Sequence, residues 1–414
     1  MLTYVLPMGL FTLLVAALSA AVLVIRRRLT LREPVTITVN GQRDVATTSG
    51  DSLLATLAEA GIHLPAACGG RGTCGQCRVQ VTRGGGRLLP TEMQHVNRRD
   101  AAAGYRLACM LRVREDLAVQ VPADVLEAGR WRCRVVSNRN LSTYLTELSL
   151  ALPDGERFAF EAGDYVLVEA PAGTIRFADF DIDPAYRAEW DRLGLSRHSV
   201  TVTEPTTRAY SLANAPADED VIQLVVRIAL PPVTAPPDTP PGKVSSFIFG
   251  LKAGDEVTVS GPFGEFHARE TDREMILIGG GAGIAPLRAI VRDQLVGRAS
   301  RRRISLWYGC RNELELVYAD EFRALESRHD NFSYHVSLSD PGPASTWDGA
   351  TGFIHKHAFD AYLGGHPSPE AAEYYLCGPP VMSSAVLAML EDLGVDRENV
   401  YFDDFGSQTS QTGG

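Results

Sequence analysis

Four cysteines occur at a spacing that suits metal–sulfur chemistry. Cys68, Cys74 and Cys77 form the pattern C-x5-C-x2-C in the segment CGGRGTCGQC, and Cys109 follows later in the chain. Thiolate sulfur is a soft ligand, and three close cysteines plus one distant one are typical of a two-iron cluster. The loop must wrap tightly around the sulfurs, and its glycines permit such a backbone; they stand at positions 69, 70, 72 and 75. The spacing predicts a [2Fe–2S] cluster bound by these four cysteines.

Two other uses of these cysteines remain open from the spacing alone. Four thiolates also suit a structural zinc ion, although zinc ribbons usually carry two C-x2-C pairs and Cys109 has no second cysteine beside it. Disulfides are the other alternative, and they require an oxidising compartment. Outside the cluster pattern, Cys133 and Cys310 lie in apolar strand contexts and are expected to be buried structural thiols.

Two motifs in the middle of the chain favour a phosphate-bearing ring cofactor. Arg208, Tyr210 and Ser211 form R-x-Y-S. Arginine can bind a pyrophosphate through two N–H groups, tyrosine can stack on a flat ring, and serine can hydrogen-bond a ring nitrogen. Residues 241–246 read PGKVSS, a glycine turn before a helix start, where free N–H groups bind phosphate. Taken singly, the two motifs are equally consistent with surface residues and an ordinary helix cap.

Two further motifs near the C-terminus indicate nucleotide binding. Residues 279–286 read GGGAGIAP; they follow the predicted strand Met275–Ile278 and lead into a predicted helix Leu287–Leu295. A glycine loop between a strand and a helix is the context of a phosphate-binding loop. Cys377 begins the sequence CGPP at the end of a later strand, on the sheet edge where ligands bind. The two motifs together predict a dinucleotide site.

The segments between these motifs predict three folded regions. The first is a small α+β region that ends near Leu126. From Trp131 onward, short alternating strands predict a six-stranded antiparallel barrel, with strands at 134–137, 145–150, 165–169, 200–203, 223–228 and 256–260. Residues 174–198 are acidic and aromatic and form an insertion in this barrel. From Glu274 onward, strands and helices alternate, which predicts an open parallel sheet.

The N-terminus carries a candidate membrane anchor. Residues 2–25 contain no charge, and as a helix they would span about 36 Å, enough to cross a hydrocarbon core of about 30 Å. Three arginines follow directly, at positions 26–28. A cleavable signal peptide carries its positive charge before the apolar run, so this segment is predicted to stay attached. The positive-inside rule places the N-terminus outside and the remaining chain in the cytoplasm.

Composition excludes several classes of protein. The 414 residues are too many for one ordinary domain. A mean hydropathy of −0.04 excludes a protein with many membrane spans. The formal net charge of −10 argues against a general nucleic-acid surface.

The motifs carry a family resemblance. RAYS, GKVSS, GGGAGIAP and CGPP, in this order and spacing, resemble the ferredoxin–NADP⁺ reductase superfamily. Together with the N-terminal helix, the cysteine-rich domain and the ending Asp403–Gly406, the chain more narrowly resembles the F subunits of sodium-translocating NADH:quinone oxidoreductases. The resemblance covers essentially the whole chain up to Gly406 and includes the insertion.

The resemblance implies five segments and three cofactor-bearing folds. It implies a single transmembrane helix, a β-grasp [2Fe–2S] ferredoxin domain of α+β class, an antiparallel β-barrel FAD domain and an α/β parallel-sheet NADH domain. The corresponding ranges are an anchor at 1–28, the ferredoxin domain at 33–128, the FAD domain at 130–270, the NADH domain at 271–406 and a polar tail at 407–414.

The resemblance also implies a role for each motif residue. Arg208 would bind the FAD pyrophosphate and Tyr210 would stack on the isoalloxazine. Catalytic roles fall to Ser211 near flavin N5, Cys377 beside the nicotinamide, and Phe405, which would cover the flavin until nicotinamide displaces it. Further FAD contacts are expected from Arg227, Gly242, Lys243, Val244 and Ser245. NADH contacts are expected from Gly280, Gly281, Gly283, Pro286 and Gly378.

The implied activity is electron input to a membrane NADH:quinone oxidoreductase of the sodium-pumping type. NADH would reduce FAD, and single electrons would pass through the cluster to partner subunits in a bacterial inner membrane. Glu313 and Glu315 would repel a 2′-phosphate and favour NADH over NADPH. Two alternatives stay open: a tethered reductase that feeds an oxygenase, and a membrane redox sensor without steady-state turnover.

Overall fold

The computed structural model describes residues 13–15, 18, 33–66, 68–122, 125–126, 128–218, 221–232, 234–236, 239–343 and 345–403. The described residues up to Leu64 and from Gly70 to Leu126 form one compact unit, and those after Leu126 belong to a second. Among the described residues, no helix is both long and apolar enough to cross a membrane. Nearly all of the predicted anchor at 1–28, together with Phe405 and the tail at 407–414, lies outside these residues.

The first unit is a mixed five-stranded sheet with two short helices. The sheet order is β2-β1-β5-β3-β4, in which β1 pairs parallel with β5 and antiparallel with β2. The β1–β2 turn is Asn40-Gly41, and both residues have positive φ, as a two-residue hairpin turn of this type requires. The elements are β1 Pro34–Val39, β2 Arg43–Thr48, α1 Leu53–Glu59, β3 Arg78–Arg83, α2 Arg98–Ala102, β4 Tyr105–Leu107 and β5 Leu117–Gln120.

Helix α1 begins one residue later than its sequence suggests. Asp51 is the predicted N-cap, but Ser52 occupies that position and its Oγ accepts a hydrogen bond from the Ala55 N–H. Serine and aspartate cap helices equally well, so the choice between two adjacent capping residues depends on the backbone around them. Leu53 and Leu57 are fully buried under the sheet, as their spacing predicts.

The second unit begins with an antiparallel barrel. Its sheet order is β11-β8-β13-β6-β7-β12, and the barrel closes through a bridge between Leu212 and Leu224. The barrel strands are β6 Gly129–Asn140, β7 Leu145–Ala151, β8 Tyr165–Ala170, β11 Thr206–Ser211, β12 Val221–Arg227 and β13 Glu256–Phe263. Helix α4, Lys243–Gly250, buries Val244 and Ile248 in the barrel core.

The insertion folds on its own small aromatic core. It contains β9 Gly173–Arg176, helix α3 Pro184–Leu193 and β10 Ser199–Val202, and β9 pairs only with β10. The prediction that residues 200–203 form a barrel strand is therefore wrong, because β11 takes that place in the sheet. Strand alternation identifies a strand but not its partner. The core of the insertion brings together Phe177, Phe180, Trp190 and Phe249.

The rest of the second unit is a six-stranded parallel sheet of order β17-β16-β15-β14-β18-β19. Every residue of β14 is buried, as expected for a strand covered on both faces. The strands are β14 Met275–Gly280, β15 Ile304–Cys310, β16 Phe332–Leu338, β17 Ala350–Thr351, β18 Glu373–Cys377 and β19 Val400–Asp403. The helices are α5 Ile284–Arg292, α6 Ala319–Glu326, α7 Ile354–Ala361 and α8 Pro380–Asp392. Pro286 lies in the first turn of α5, where its missing N–H costs no helical hydrogen bond.

Candidate functional site: a cysteine loop, a flavin cradle and a nicotinamide edge

The cysteine-rich loop has the backbone that its glycines predict. All four glycines adopt positive φ: 64° at Gly69, 81° at Gly70, 77° at Gly72 and 71° at Gly75. Two of them also stand where no side chain fits. A Cβ on Gly72 would lie 2.7 Å from the Met110 sulfur, and one on Gly75 would lie 2.9 Å from the His95 ring. The loop therefore needs glycine for both its conformation and its close packing.

The structure brings three of the predicted ligands together. A hydrogen bond with Cys109, burial and the proximity of Cys74 raise the pKa of the Cys77 thiol. Cys68 is buried as well. Within the described residues, no three His, Cys, Asp or Glu side chains stand at the geometry of a single-ion site. A two-iron cluster requires only two cysteines at each iron, which the Cys77–Cys109 pair suits. Iron binding would displace the thiol protons.

A buried ion pair that sequence reasoning missed holds the segment before Cys109. Glu92, with no exposed surface, accepts hydrogen bonds from Arg106 at 2.8 Å and from the Leu107 N–H at 3.0 Å. Burial opposes ionisation of Glu92, but the hydrogen bonds from Arg106 and from the backbone N–H groups of Leu89 and Leu107 outweigh it and lower the pKa of this carboxyl. Nothing in the sequence marks this pair, since single charged residues give no signal of burial.

The predicted flavin residues lie along one barrel strand. Arg208 and Tyr210 are on β11, two residues apart, so their side chains share one face of the strand. Both are half-buried, and Tyr210 packs against the barrel core. Burial raises the pKa of the Tyr210 hydroxyl, so that it stays neutral. Arg208 donates to the Thr207 carbonyl at 2.6 Å. This face suits stacking by a ring and contact by a guanidinium group.

The PGKVSS turn forms a second part of the same cradle. Gly242 is the N-cap of α4 and makes no side-chain cap hydrogen bond. Its N–H donates to the Ala229 carbonyl, and Ser245 Oγ accepts from the Ala229 N–H, which ties the turn to the end of β12 beside Arg227. A Cβ on Gly242 would lie 2.7 Å from the Ala229 Cβ. An uncapped helix start next to an exposed arginine fits a phosphate group. Lys243 follows directly as the first residue of the helix.

The two glycine motifs of the parallel sheet meet at its carboxyl edge. Gly279 on β14 lies opposite Cys377 on β18 in the register. A Cβ on Gly283 would lie 2.0 Å from the Cys377 carbonyl oxygen and 2.7 Å from the Gly378 nitrogen. Gly281 has a φ of 57° and open space on its Cβ side. The loop is therefore packed on one side and open on the other, as close approach of a dinucleotide requires.

Three side chains converge where the barrel meets this edge. Ser211 Oγ donates a hydrogen bond to the Asp403 carboxylate at 2.9 Å, and Ser211 is only 4% exposed. Asp403 lies opposite Cys377 in the β18–β19 register, and Cys377 is fully buried. The sequence identified Asp403 only as part of an ending motif and gave it no role. Phe405 lies two residues beyond it, outside the described residues.

The two glutamates predicted to select NADH are engaged in other contacts. Glu313 accepts a hydrogen bond from Ser345 at 2.5 Å. Burial raises the pKa of Glu315, although hydrogen bonds from Ser142 and Thr143 and the nearby Arg227 oppose that shift. Glu315 thus faces the β6–β7 turn of the barrel. The preference for NADH over NADPH stays a prediction.

Comparisons with known families match each of the three regions. Residues 37–114 match the 2Fe-2S iron-sulfur cluster binding domain, 195–268 the oxidoreductase FAD-binding domain and 277–387 the oxidoreductase NAD-binding domain. The F subunit of a Na⁺-translocating NADH-quinone reductase in Klebsiella pneumoniae is 49% identical over 97% of this chain and 99% of its own length. This chain belongs to that family of F subunits. The corresponding protein in Marinomonas is 48% identical over 98% of this chain and 99% of its own length.

Family membership makes the cofactor set definite. The chain carries domains for a [2Fe–2S] cluster, FAD and NAD, so the zinc alternative is set aside. Among solved structures, the Amycolatopsis cytochrome P450 reductase GcoB matches with a TM-score of 0.62 and 27% identity, over 90% of this chain and 98% of its own. A ferredoxin reductase in carbazole 1,9a-dioxygenase matches with a TM-score of 0.59 and 24% identity, over 90% of this chain and 99% of its own. The second likeness shows the fold alone.

Proposed function

We propose that this chain is the electron-input subunit of a membrane NADH:quinone oxidoreductase of the sodium-pumping type. The observation that carries the proposal is the convergence of Ser211, Asp403 and Cys377 at the edge where both glycine motifs end. FAD, when bound, accepts a hydride from NADH and releases electrons singly, and a [2Fe–2S] cluster carries one electron at a time. The chain therefore needs no acid–base pair; its residues must position the reactants.

The barrel residues hold the cofactor end of the reaction. Arg208 and Arg227 bind phosphate oxygens, and the N–H groups after Gly242, in the segment Lys243–Ser245, bind the same pyrophosphate at the start of α4. Tyr210 packs against the flat ring system. Ser211 is directed by its hydrogen bond to Asp403, so its hydroxyl points in one fixed direction at the site of transfer.

The parallel sheet holds NADH. Gly280, Gly281 and Gly283 leave room for the dinucleotide phosphates beside the start of α5, and Cys377 and Gly378 border the nicotinamide. Phe405 follows two residues after Asp403, and we assign it the covering role that the family resemblance implies. Cys68, Cys74, Cys77 and Cys109 are the cluster ligands, so one chain takes a hydride and delivers single electrons.

The electrons leave toward membrane partners. Residues 1–28 act as a single-pass anchor in the bacterial inner membrane, with the N-terminus outside and the three domains in the cytoplasm. This arrangement is supported by the uncharged run at 2–25 and the three arginines after it. Quinone reduction and sodium transport belong to other subunits of the complex, as the names of the relatives describe.

The test is a spectroscopic titration of the full chain in detergent. We expect visible absorption from flavin and cluster, bleaching of the flavin on anaerobic addition of NADH, and a rhombic EPR signal that Cys74→Ala abolishes. Bleaching without an EPR signal, at full iron occupancy, would show that electrons do not reach the cluster. Zinc in place of iron would refute the ferredoxin assignment. Negligible steady-state oxidation of NADH with an artificial acceptor would favour a redox sensor.

A reductase that feeds an oxygenase is the second candidate, because GcoB has the same domain content over 90% of this chain. The two functions differ in what must be present for electrons to leave. Electron transfer to quinone that requires the other membrane subunits supports the proposal. Transfer to a soluble oxygenase component in their absence contradicts it.

A further inference from the structure

Helix α5 carries a buried arginine that joins the two halves of the reductase unit. Arg288 lies one turn after the glycine loop and is 7% exposed. Its Nη1 donates to the Ala213 carbonyl at 2.7 Å and to Gln223 Oε1 at 3.1 Å, both in the barrel. Its Nε donates to the Glu321 carboxylate at 2.8 Å, on α6 of the parallel-sheet region. A buried guanidinium group is tolerated only when its donors are paired in this way.

The barrel acceptors of Arg288 lie beside the reaction site. Ala213 is two residues beyond Ser211, and its N–H donates to the Gln223 carbonyl at 2.8 Å where β11 and β12 close the barrel. Arg288 therefore binds both chain segments of the barrel closure with a single nitrogen. Movement of α5 would pull on the segment that carries Ser211.

Neighbouring contacts connect the same two regions a second and a third time. Arg288 lies over the Tyr318 ring at 4.4 Å, and the Tyr318 hydroxyl donates to Glu147 on β7. Arg292, one turn further along α5, binds both oxygens of Asp218 at 2.7 and 2.9 Å. Arg288 is the most buried member of this group and the one nearest the glycine loop.

We propose that Arg288 is a positioning residue for hydride transfer, which holds the Gly280–Gly283 loop at a fixed place relative to Ser211. The proposal rests on the function assigned above to these two segments. Hydride transfer depends steeply on donor–acceptor placement, and a misplacement of about 1 Å costs about 100-fold in rate. Lysine cannot replace this arginine, because one ammonium group lacks the rigid fork that serves three acceptors in different directions.

The experiment compares Arg288→Lys and Arg288→Met with the wild type and with Arg298→Gln, in the full chain loaded with FAD and cluster. Arg298 is the control because it also belongs to an ion pair, with Asp293 at 2.6 Å, but this pair lies wholly within the parallel-sheet region. The rate of flavin bleaching is measured by stopped flow over a range of NADH concentrations. Amide hydrogen exchange of the peptide Ser211–Asp218 and thermal unfolding are measured on the same samples.

We expect both Arg288 variants to bleach between about 10-fold and 100-fold more slowly at saturating NADH, with half-saturating NADH and FAD content within about 2-fold of wild type. The peptide Ser211–Asp218 should exchange faster in both, and Arg298→Gln should resemble the wild type in both measurements. If Arg288→Met does not fold, Arg288→Lys decides with the same criteria.

Three results would overturn the proposal. They are wild-type bleaching rates in both Arg288 variants, a loss explained wholly by weaker NADH or FAD binding, and an equal loss in Arg298→Gln. These results differ from failure of the proposed function, in which the wild-type flavin itself would not bleach with NADH.

Discussion

Gly283 offers the sharpest test of the nicotinamide edge. A Cβ at this position would lie 2.0 Å from the Cys377 carbonyl oxygen and 2.3 Å from its carbon, whereas real Cβ contacts essentially never fall below 3.0 Å. In Gly283→Ala the start of α5 and the end of β18 must therefore separate by about 1 Å, and both segments border the reaction site. Overpacking of this kind costs about 1–3 kcal/mol of stability.

The expected result for Gly283→Ala is a flavin bleaching rate about 100-fold below wild type at saturating NADH, with a lower midpoint of thermal unfolding. Stopped-flow absorbance and calorimetry measure the two effects. Gly365→Ala is the matched control, since this glycine lies in the same sheet region with no atom within 4 Å of its Cβ position and without positive φ. A Gly283→Ala chain that bleaches within 2-fold of wild type and melts with the control would refute the argument.

Three further changes test other parts of the structure. Ser211→Ala removes the hydroxyl that binds Asp403 and should slow bleaching about 2-fold to 10-fold without weakening NADH binding, as stopped flow would show. Trp190→Ala opens a cavity in the insertion core and should lower the free energy of unfolding by about 3–5 kcal/mol in denaturant titration. A hydrogen bond from Asp164 raises the pKa of His267 above 6.5, so its stabilising effect is complete below pH 6.5 and is lost as the pH rises through the folded pKa. His267→Gln should therefore lose more stability relative to wild type at pH 6 than at pH 9, measured by thermal unfolding.

Each of these predictions has a control in the same region. Ser211→Thr keeps the hydroxyl and should bleach faster than Ser211→Ala; equal rates would remove the hydrogen bond from the argument. Tyr186→Phe deletes only the hydroxyl that donates to the Leu141 carbonyl, so it should cost about 1 kcal/mol, well below Trp190→Ala. A difference between wild type and His267→Gln that is independent of pH would contradict the histidine prediction.

Motifs whose chemistry requires a special backbone could be predicted from the sequence. The glycines at 69, 70, 72 and 75 predict a tight loop, and all four have positive φ. The position of GGGAGIAP between a strand and a helix, and the meeting of its strand with CGPP, also follow from local signals. Such residues are informative because few others tolerate the same conformation or the same close approach.

Residues that act through a distant partner could not be predicted in this way. Glu92, Arg288 and Asp403 are ordinary charged residues in the sequence, and their roles depend on Arg106, Ala213 and Ser211, which are far away along the chain. The wrong barrel strand has the same cause, since Val200–Val202 alternates equally well in a ribbon with β9 or in the barrel. Pairing is a tertiary property that local alternation leaves undetermined.

The polar contacts of the reductase unit suggest how one fold keeps two reactants aligned without a reactive protein group. The glycine loop touches the end of β18 through backbone atoms, whereas the barrel is held to α5 and α6 by arginine side chains. Backbone contacts between glycines leave almost no freedom, because nothing can be trimmed or rotated there. Arginine contacts to several acceptors are directional but can be broken singly. Changes in the glycines should therefore disturb both stability and rate, and changes in the arginines should disturb alignment more than stability.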